Sequence, residues 1–176
     1  MSREVIQINR APVLTLWASV VAERLGYNHD AALSLGKALA GLNAQSKGRR
    51  LGIYKPAERP EEARPKKAGL GEGFWAELLG RPLPVIKIRG GIRAVEGSRT
   101  IEPAGVERYL ESKFGEALQS VRTAMEELCR AFSRKELTLK AFSLYEQFRP
   151  GIPEGVRGWG AKGELDLDKI RELLIR

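Results

Sequence analysis

Histidine and cysteine each occur once in this 176-residue sequence, and the spacing of its carboxylates does not point to acid–base catalysis. His29 is the single histidine, so a Ser-His-Asp triad or a histidine-based zinc site would have to use it. It lies in a short turn before a predicted helix, where we expect an exposed turn or capping role. Cys129 is the single cysteine and falls in an apolar helical pattern, which predicts a buried, inert thiol. We therefore predict no catalytic residue, metal site or cofactor.

A glycine-rich string, Gly158 to Gly163, has the G-x-G-x-x-G spacing of dinucleotide-binding loops. No predicted strand precedes it and no βαβ unit surrounds it, so that function is not predicted. We expect a turn-rich loop, and the alternative is a backbone nest for an anion, aided by Arg157 and Lys162. In that case the protein would be an enzyme acting on a phosphorylated small molecule, with residues 149–163 near its site.

The positive charge of the chain is concentrated in its first hundred residues. The sequence has 30 basic and 22 acidic residues, a formal net charge of +8. Residues 47–67 carry +5, residues 1–46 and 68–100 carry +1 and +2, and residues 101–176 are neutral. Because lysine and arginine release counterions when they neutralise phosphates, this asymmetry favours a polyanionic partner. The alternative is a solvated surface segment that only aids solubility.

The overall composition is that of a globular protein, with 43% hydrophobic residues. No apolar run approaches the roughly 18 residues that cross a bilayer, and Met1 to Arg10 lack the apolar stretch of a secretory signal. A lone cysteine cannot form an internal disulfide. These features predict a cytoplasmic protein without membrane contact.

The first predicted helix lies between Pro12, which suits a first helical turn, and Gly26, which suits the residue after the last turn. A polar stripe of Thr15, Ser19 and Glu23 runs along a segment that is otherwise mostly apolar. A helix that is apolar on most sides must pack against several neighbours. We therefore expect this helix in the core.

A second helix is predicted to run to about Ser46, with Asn28 or Asp30 as its capping residue. Gly36 and Gly41 each lower helix stability by about 1 kcal/mol relative to alanine. Close approach of another backbone would offset that loss. The two glycines therefore predict a tight helix crossing.

The segment Ala18 to Lys37 resembles the helix-turn-helix of bacterial DNA-binding proteins. Ala22 takes the position of the small residue in that family, and Gly26 falls four residues later in the turn. In the family, the second helix lies in the major groove and its first residues contact base edges. The resemblance implies base-reading positions at Asn28, His29, Ala31, Ser34 and Lys37.

Residues 48–72 combine three prolines with dense charge, which predicts a basic linker or loop. A short amphipathic helix is predicted at Phe74 to Leu79. Alternating residues from Val85 to Val95 flank Gly90-Gly91 and predict a β-hairpin. Lys87 and Arg89 share one face of it, and Arg93 joins them if the register allows. A short third strand could follow at residues 99–101.

The remaining sequence predicts helices broken at Gly115 and restarted by a capping box at Ser133 and Glu136. The fold class is therefore mainly α, with five to seven helices and one small antiparallel β-hairpin. We predict a helix pair in residues 1–47 and a linker or loop in 48–72. Residues 73–176 are predicted to pack with that pair as one domain.

The sequence favours binding of DNA or RNA, mainly through phosphates. Basic residues without interleaved aromatics suit backbone contacts better than base stacking. The main alternative is a protein-interaction or oligomerisation module. In that case the second predicted helix, which is rich in small residues, packs against a partner or a second copy. The predicted nucleic-acid contacts are Lys37, Lys47, Arg49, Arg50, Lys66, Lys67, Lys87, Arg89 and Arg93.

Overall fold

A computed structural model describes residues 5–50, 73–89, 91–96, 99–150 and 163–175. Within these ranges the chain forms six α-helices, a four-stranded antiparallel sheet and a two-stranded antiparallel sheet. The helix-dominated fold is confirmed. The single predicted hairpin understates the β-structure.

The first helix, α1 (Arg10–Arg24), lies in the core as expected. Every residue from Pro12 to Ala22 is buried, including the polar Thr15 and Ser19. The hydroxyl of Thr15 donates to the carbonyl of Ala11, and that of Ser19 donates to the carbonyl of Thr15. Because each hydroxyl bonds to a backbone oxygen of its own helix, a stripe of polar residues can be buried without unsatisfied donors.

The second helix, α2 (His29–Arg50), begins after a turn at Gly26, where φ is +114°. The side chain of Asn28 accepts a 2.8 Å hydrogen bond from the amide of Ala31, which confirms Asn28 as the capping residue. The helix continues to Arg50, four residues beyond the predicted end at Ser46.

Gly36 lies where α2 crosses α1, and this part of the crossing prediction is confirmed. A Cβ atom at Gly36 would lie 2.6 Å from the backbone oxygen of Thr15 and 3.0 Å from the backbone nitrogen of Ser19. Gly41 is exposed, and a Cβ atom there would meet nothing within 4 Å. The prediction of a close approach at Gly41 was therefore wrong.

The four-stranded sheet has the order β2-β3-β4-β5, with β2 at Gly73–Leu78, β3 at Arg81–Ile88, β4 at Gly91–Glu96 and β5 at Arg99–Thr100. The hairpin across Gly90-Gly91 is confirmed as β3 and β4, and β5 is the short third strand. The helix predicted at Phe74 to Leu79 was wrong, because that segment is β2 and pairs with β3 from Gly73↔Ile86 to Leu78↔Arg81.

The turn between β2 and β3 has an unusual backbone. Leu79 and Gly80 both have positive φ, +50° and +77°. Two successive residues with positive φ form the tight turn that matches the twist of a hairpin. Glycine is the usual residue there, and leucine at such a position is an outlier.

The remaining helices are α3 (Pro103–Phe114), α4 (Leu118–Arg130), α5 (Arg134–Phe148) and α6 (Leu167–Glu172). A 3-10 turn at Gly115–Ala117 separates α3 from α4, as the predicted break requires. The capping box before α5 is confirmed, because Ser133 and Glu136 each accept a 3.1 Å hydrogen bond from the other's backbone amide. A second 3-10 turn, Leu173–Ile175, follows α6.

The two-stranded sheet joins β1 (Val5–Ile8) to β6 (Gly163–Asp166), with Val5 opposite Asp166 and Ile8 opposite Gly163. One apolar cluster of buried residues extends from β1 through α1 and α2 to the four-stranded sheet and on to α6. The boundaries predicted at residues 47 and 72 remain predictions. None of the described helices is both long enough and apolar enough to span a membrane.

Candidate nucleic-acid interface

The β3–β4 hairpin holds three of the basic residues predicted to contact nucleic acid. Lys87 on β3 and Arg89 in the turn are both exposed. The register pairs Lys87 with Ile92 and Ile86 with Arg93. Because directly opposed residues share a face of a sheet, Arg93 lies on the face of Ile86 and not on that of Lys87.

Arg93 therefore does not extend the basic face of the hairpin, and its side chain is only 11% exposed. Its Nη1 donates a 2.8 Å hydrogen bond to the carbonyl of Ile92, and its Nη2 lies 3.8 Å from a carboxylate oxygen of Asp30. Asp30 is in the first turn of α2. The guanidinium thus links the hairpin to α2, and the structure does not support its prediction as a phosphate contact.

Lys37 is also engaged within the protein. Its Nζ lies 3.9 Å from the centroid of the Tyr109 ring on α3, a cation–π distance. Burial lowers the pKa of Lys37, and the charge of Glu96 partly opposes this effect. A half-buried ammonium held against an aromatic ring is poorly placed to contact a nucleic acid, so the structure does not support this predicted contact.

The other predicted contacts belong to the basic segment, defined as residues 47–67. Lys47, Arg49 and Arg50 occupy the end of α2, where the backbone alone is described. Lys66 and Lys67 lie outside the described residues. The chain is next described at Gly73, which pairs with Ile86, the neighbour of Lys87. Lys67 precedes Gly73 by six positions, which corresponds to at most about 22 Å of fully extended chain.

The start of α2 does not offer the exposed face that a groove-reading helix needs. Of the five implied base-reading positions, Ala31 is 2% exposed, Ser34 is fully buried, and Lys37 packs on Tyr109. Asn28 and His29 are exposed, but Asn28 caps the helix. The helix-turn-helix interpretation is therefore not supported. Leu33, which departs from the polar pattern of such helices, is buried too.

Ser34 has a structural role that the sequence did not reveal. Its hydroxyl accepts a 2.8 Å hydrogen bond from the amide of Ala94 on β4 and donates a 2.7 Å bond to the carbonyl of Ile101, just after β5. The amide of Ile101 donates directly to the carbonyl of Ala94 at 2.9 Å. The helix hydroxyl thus replaces one rung of the ladder between two strands.

His29, the first residue of α2, lies near polar side chains of α1 and α3. Its Nδ1 is 3.4 Å from a carboxylate oxygen of Glu23, and its Nε2 is 3.7 Å from one of Glu107. Arg122 donates to the same Glu107 carboxylate at 3.4 Å. Half of the His29 side chain is exposed, in keeping with the expected turn position. Across the described ranges, no group of three or more His, Cys, Asp or Glu residues could hold a metal ion.

The thiol of Cys129 is buried on α4, as predicted. Burial raises the pKa of Cys129 to about 12, although the nearby Arg24 acts in the opposite direction. A thiol with this pKa is protonated at neutral pH and is a poor nucleophile.

The glycine-rich string Gly158 to Gly163 lies outside the described residues except for Gly163, as do Arg157 and Lys162. Gly163 begins β6 and pairs with Ile8. The anion nest and the related enzyme hypothesis therefore remain predictions from the sequence.

Comparison of the chain with known protein families, with characterised proteins and with solved structures finds no match.

Proposed function

We propose that this protein binds nucleic acid through phosphates, using the basic segment and the tip of the β3–β4 hairpin as one positive surface. The observation that carries the proposal is the position of β2, which follows the basic segment in the chain and pairs with β3. The chain that leaves the basic segment, with its net charge of +5, joins the sheet beside the strand that presents Lys87. Lys87 and Arg89 provide exposed positive charge at that end of the sheet.

The contacts in this proposal are backbone contacts and carry no base recognition. Ala31 and Ser34 are buried, so α2 supplies no row of base-reading side chains. The contact residues are then a subset of those predicted from the sequence, without Lys37 and Arg93. They are Lys47, Arg49, Arg50, Lys66, Lys67, Lys87 and Arg89.

The salt dependence of binding to duplex DNA and to single-stranded RNA tests the proposal. For duplex DNA, log K falls with log salt with a slope of about −0.9 per phosphate contacted. The double variant Lys87→Glu/Arg89→Glu should therefore make the slope shallower by about 2, because two phosphate contacts are lost. Charge reversal at Lys47, Arg49 and Arg50 should make the slope of log K against log salt shallower still.

Arg130→Glu/Lys169→Glu is the matched control, since it makes the same change in net charge at two exposed residues of the neutral half. This variant should leave the slope close to that of the wild type. An equal change of slope in both double variants would indicate an unspecific effect of the total charge. Such a result, or the absence of binding at low salt, would contradict the proposal.

The assembly alternative loses the support of Gly36. Gly36, the centre of the small-residue stretch, packs against Thr15 and Ser19 of the same chain. Replacing Gly36 with leucine would therefore disturb the fold, and the effect would not report on a partner surface.

A further inference from the structure

A cavity of about 460 Å³ lies between the end of α1, the β2–β3 turn and the first two turns of α5. Its volume falls within the range of small-molecule sites, roughly 300 to 1,000 Å³. Buried apolar side chains form its inner wall, among them Leu78, Leu137 and Ala141. This cavity is separate from the surface assigned to nucleic acid.

The outer wall of the cavity carries charge. Arg134 and Lys135 begin α5, and both are exposed and line the cavity. Glu77 on β2 is the only acidic side chain among the described residues that line it. The charged side chains of the lining therefore have a net charge of +1, above an apolar interior.

The β2–β3 turn fixes the shape of one wall. Leu79 lines the cavity and is 8% exposed, so its side chain is retained at a backbone position with φ of +50° that glycine would adopt without strain. Such a conformation is disfavoured by about 1 to 3 kcal/mol and persists only where the surroundings determine it. A tight turn with a buried side chain gives the cavity a wall that exists before any ligand arrives.

We propose that this cavity binds a small amphipathic anion, a molecule with an apolar body and a single carboxylate. The apolar body would replace water against Leu137 and Ala141. The carboxylate would lie at the mouth, where Arg134 and Lys135 can donate charge-assisted hydrogen bonds. A cation of the same shape would be repelled by Arg134 and Lys135 and attracted by Glu77 alone, so the net charge of +1 favours the anion.

Octanoate is a suitable probe, with octylammonium and octanol as its cationic and neutral counterparts. The readout is the NMR spectrum of the ¹⁵N-labelled full chain. The indole Nε1 of Trp17 donates a 2.9 Å hydrogen bond to the carbonyl of Ala141, so its proton signal reports on the inner wall. Octanoate should shift this signal and the amides of Leu79 and Leu137 in a saturable way. It should bind at least tenfold more tightly than octylammonium.

The variant Arg134→Gln/Lys135→Gln should weaken octanoate binding at least tenfold, while its affinity for octanol stays near that of the wild type. The matched control is Arg130→Gln/Lys140→Gln, which removes two exposed cations that do not line the cavity. Thr138→Trp, at an exposed lining position, should block binding of octanoate and of octanol.

Three results would overturn the proposal: no saturable shift at millimolar octanoate, equal affinity for octylammonium, or unchanged affinity in the Arg134/Lys135 variant. The assay contains no nucleic acid and leaves Lys87 and Arg89 intact. Its failure would therefore leave the nucleic-acid proposal standing, and failure of the salt titration would leave this one standing.

Discussion

At the scale of single residues, the hydroxyl of Ser34 joins α2 to β4 and to the residue that follows β5. It satisfies two backbone groups of other elements, the amide of Ala94 and the carbonyl of Ile101, and Ser34 is fully buried. Water cannot take its place without space to enter. Loss of this hydroxyl would leave both groups without a partner.

We predict that Ser34→Ala lowers the free energy of unfolding by about 2 to 4 kcal/mol, because each buried unsatisfied group is unfavourable by roughly 1 to 3 kcal/mol. Ser19→Ala is the control, since Ser19 is equally buried but donates only to the carbonyl of Thr15 in its own helix. It should change stability by less than about 1 kcal/mol. Urea unfolding of both variants measures the difference, and equal losses would contradict the assigned role.

Single residues also show which parts of the candidate interface could be predicted from sequence. The exposure of Lys87 follows from local alternation along one strand, which a sequence displays directly. Arg93 could not be assigned, because its face depends on the register with β3 and its partner Asp30 lies in another element. Lys37 packs on Tyr109, which is 72 residues away in sequence. The charge of a side chain can therefore be read from the sequence. Whether that side chain is exposed or engaged within the protein cannot.

At the scale of elements, the crossing of α1 and α2 depends on Gly36 and not on Gly41. A methyl group at Gly36 would be forced against the backbone of α1, and backbone cannot move aside as a flexible side chain can. A methyl group at Gly41 would meet open space. The same substitution should therefore have opposite effects at the two positions.

We predict that Gly36→Ala lowers the free energy of unfolding by about 1 to 3 kcal/mol through overpacking. Gly41→Ala should raise it by about 0.5 to 1 kcal/mol, because alanine favours the helix and nothing opposes the added methyl. Thermal and urea unfolding of the two variants provide the comparison. A stabilised Gly36→Ala protein would show that the crossing is looser than the distances indicate.

Elements with local signals were predicted correctly, and elements defined by distant partners were not. The capping box at Ser133 and the hairpin across Gly90-Gly91 have short-range signatures, and both are confirmed. Residues 73–78 form a strand because they pair with β3 through a turn at Leu79-Gly80. A leucine with positive φ gives the sequence no turn signal, so the short apolar run was mistaken for a helix.

At the scale of the whole molecule, one apolar cluster connects elements on both sides of the basic segment. Helices α1 and α2 contribute the side chains at its centre, including the fully buried Trp17 and Leu35. The Trp17 indole bonds to Ala141 on α5, and Arg24 at the end of α1 donates to the carbonyl of Phe132. The one-domain organisation predicted from sequence can be tested by dividing the chain.

We predict that the protein reassembles from two fragments, residues 1–56 and 57–176, which together retain every residue. Co-expressed, they should co-purify as a one-to-one complex that unfolds in a single transition, because neither fragment alone can bury its apolar surface. Each fragment expressed alone should aggregate or remain unfolded. Two independently folded fragments with separate transitions would instead establish two domains.

The two-stranded sheet could not be predicted, since β1 and β6 pair across more than 150 residues and each has only four. Short strands of this kind lack the length that distinguishes them from irregular chain. β1 and β6 lead into α1 and α6, and both of these helices pack against α4 and α5.

The position of α1 has a consequence for how the chain is made on the ribosome. This helix, in which every residue from Pro12 to Ala22 is buried, is synthesised before α4, α5 and the strand that pairs with β1. The nascent chain must therefore carry an apolar helix before the elements that bury it, among them α4 and α5, have been translated. Until those helices emerge, α2 is the neighbour that can shield it, through the close crossing at Gly36.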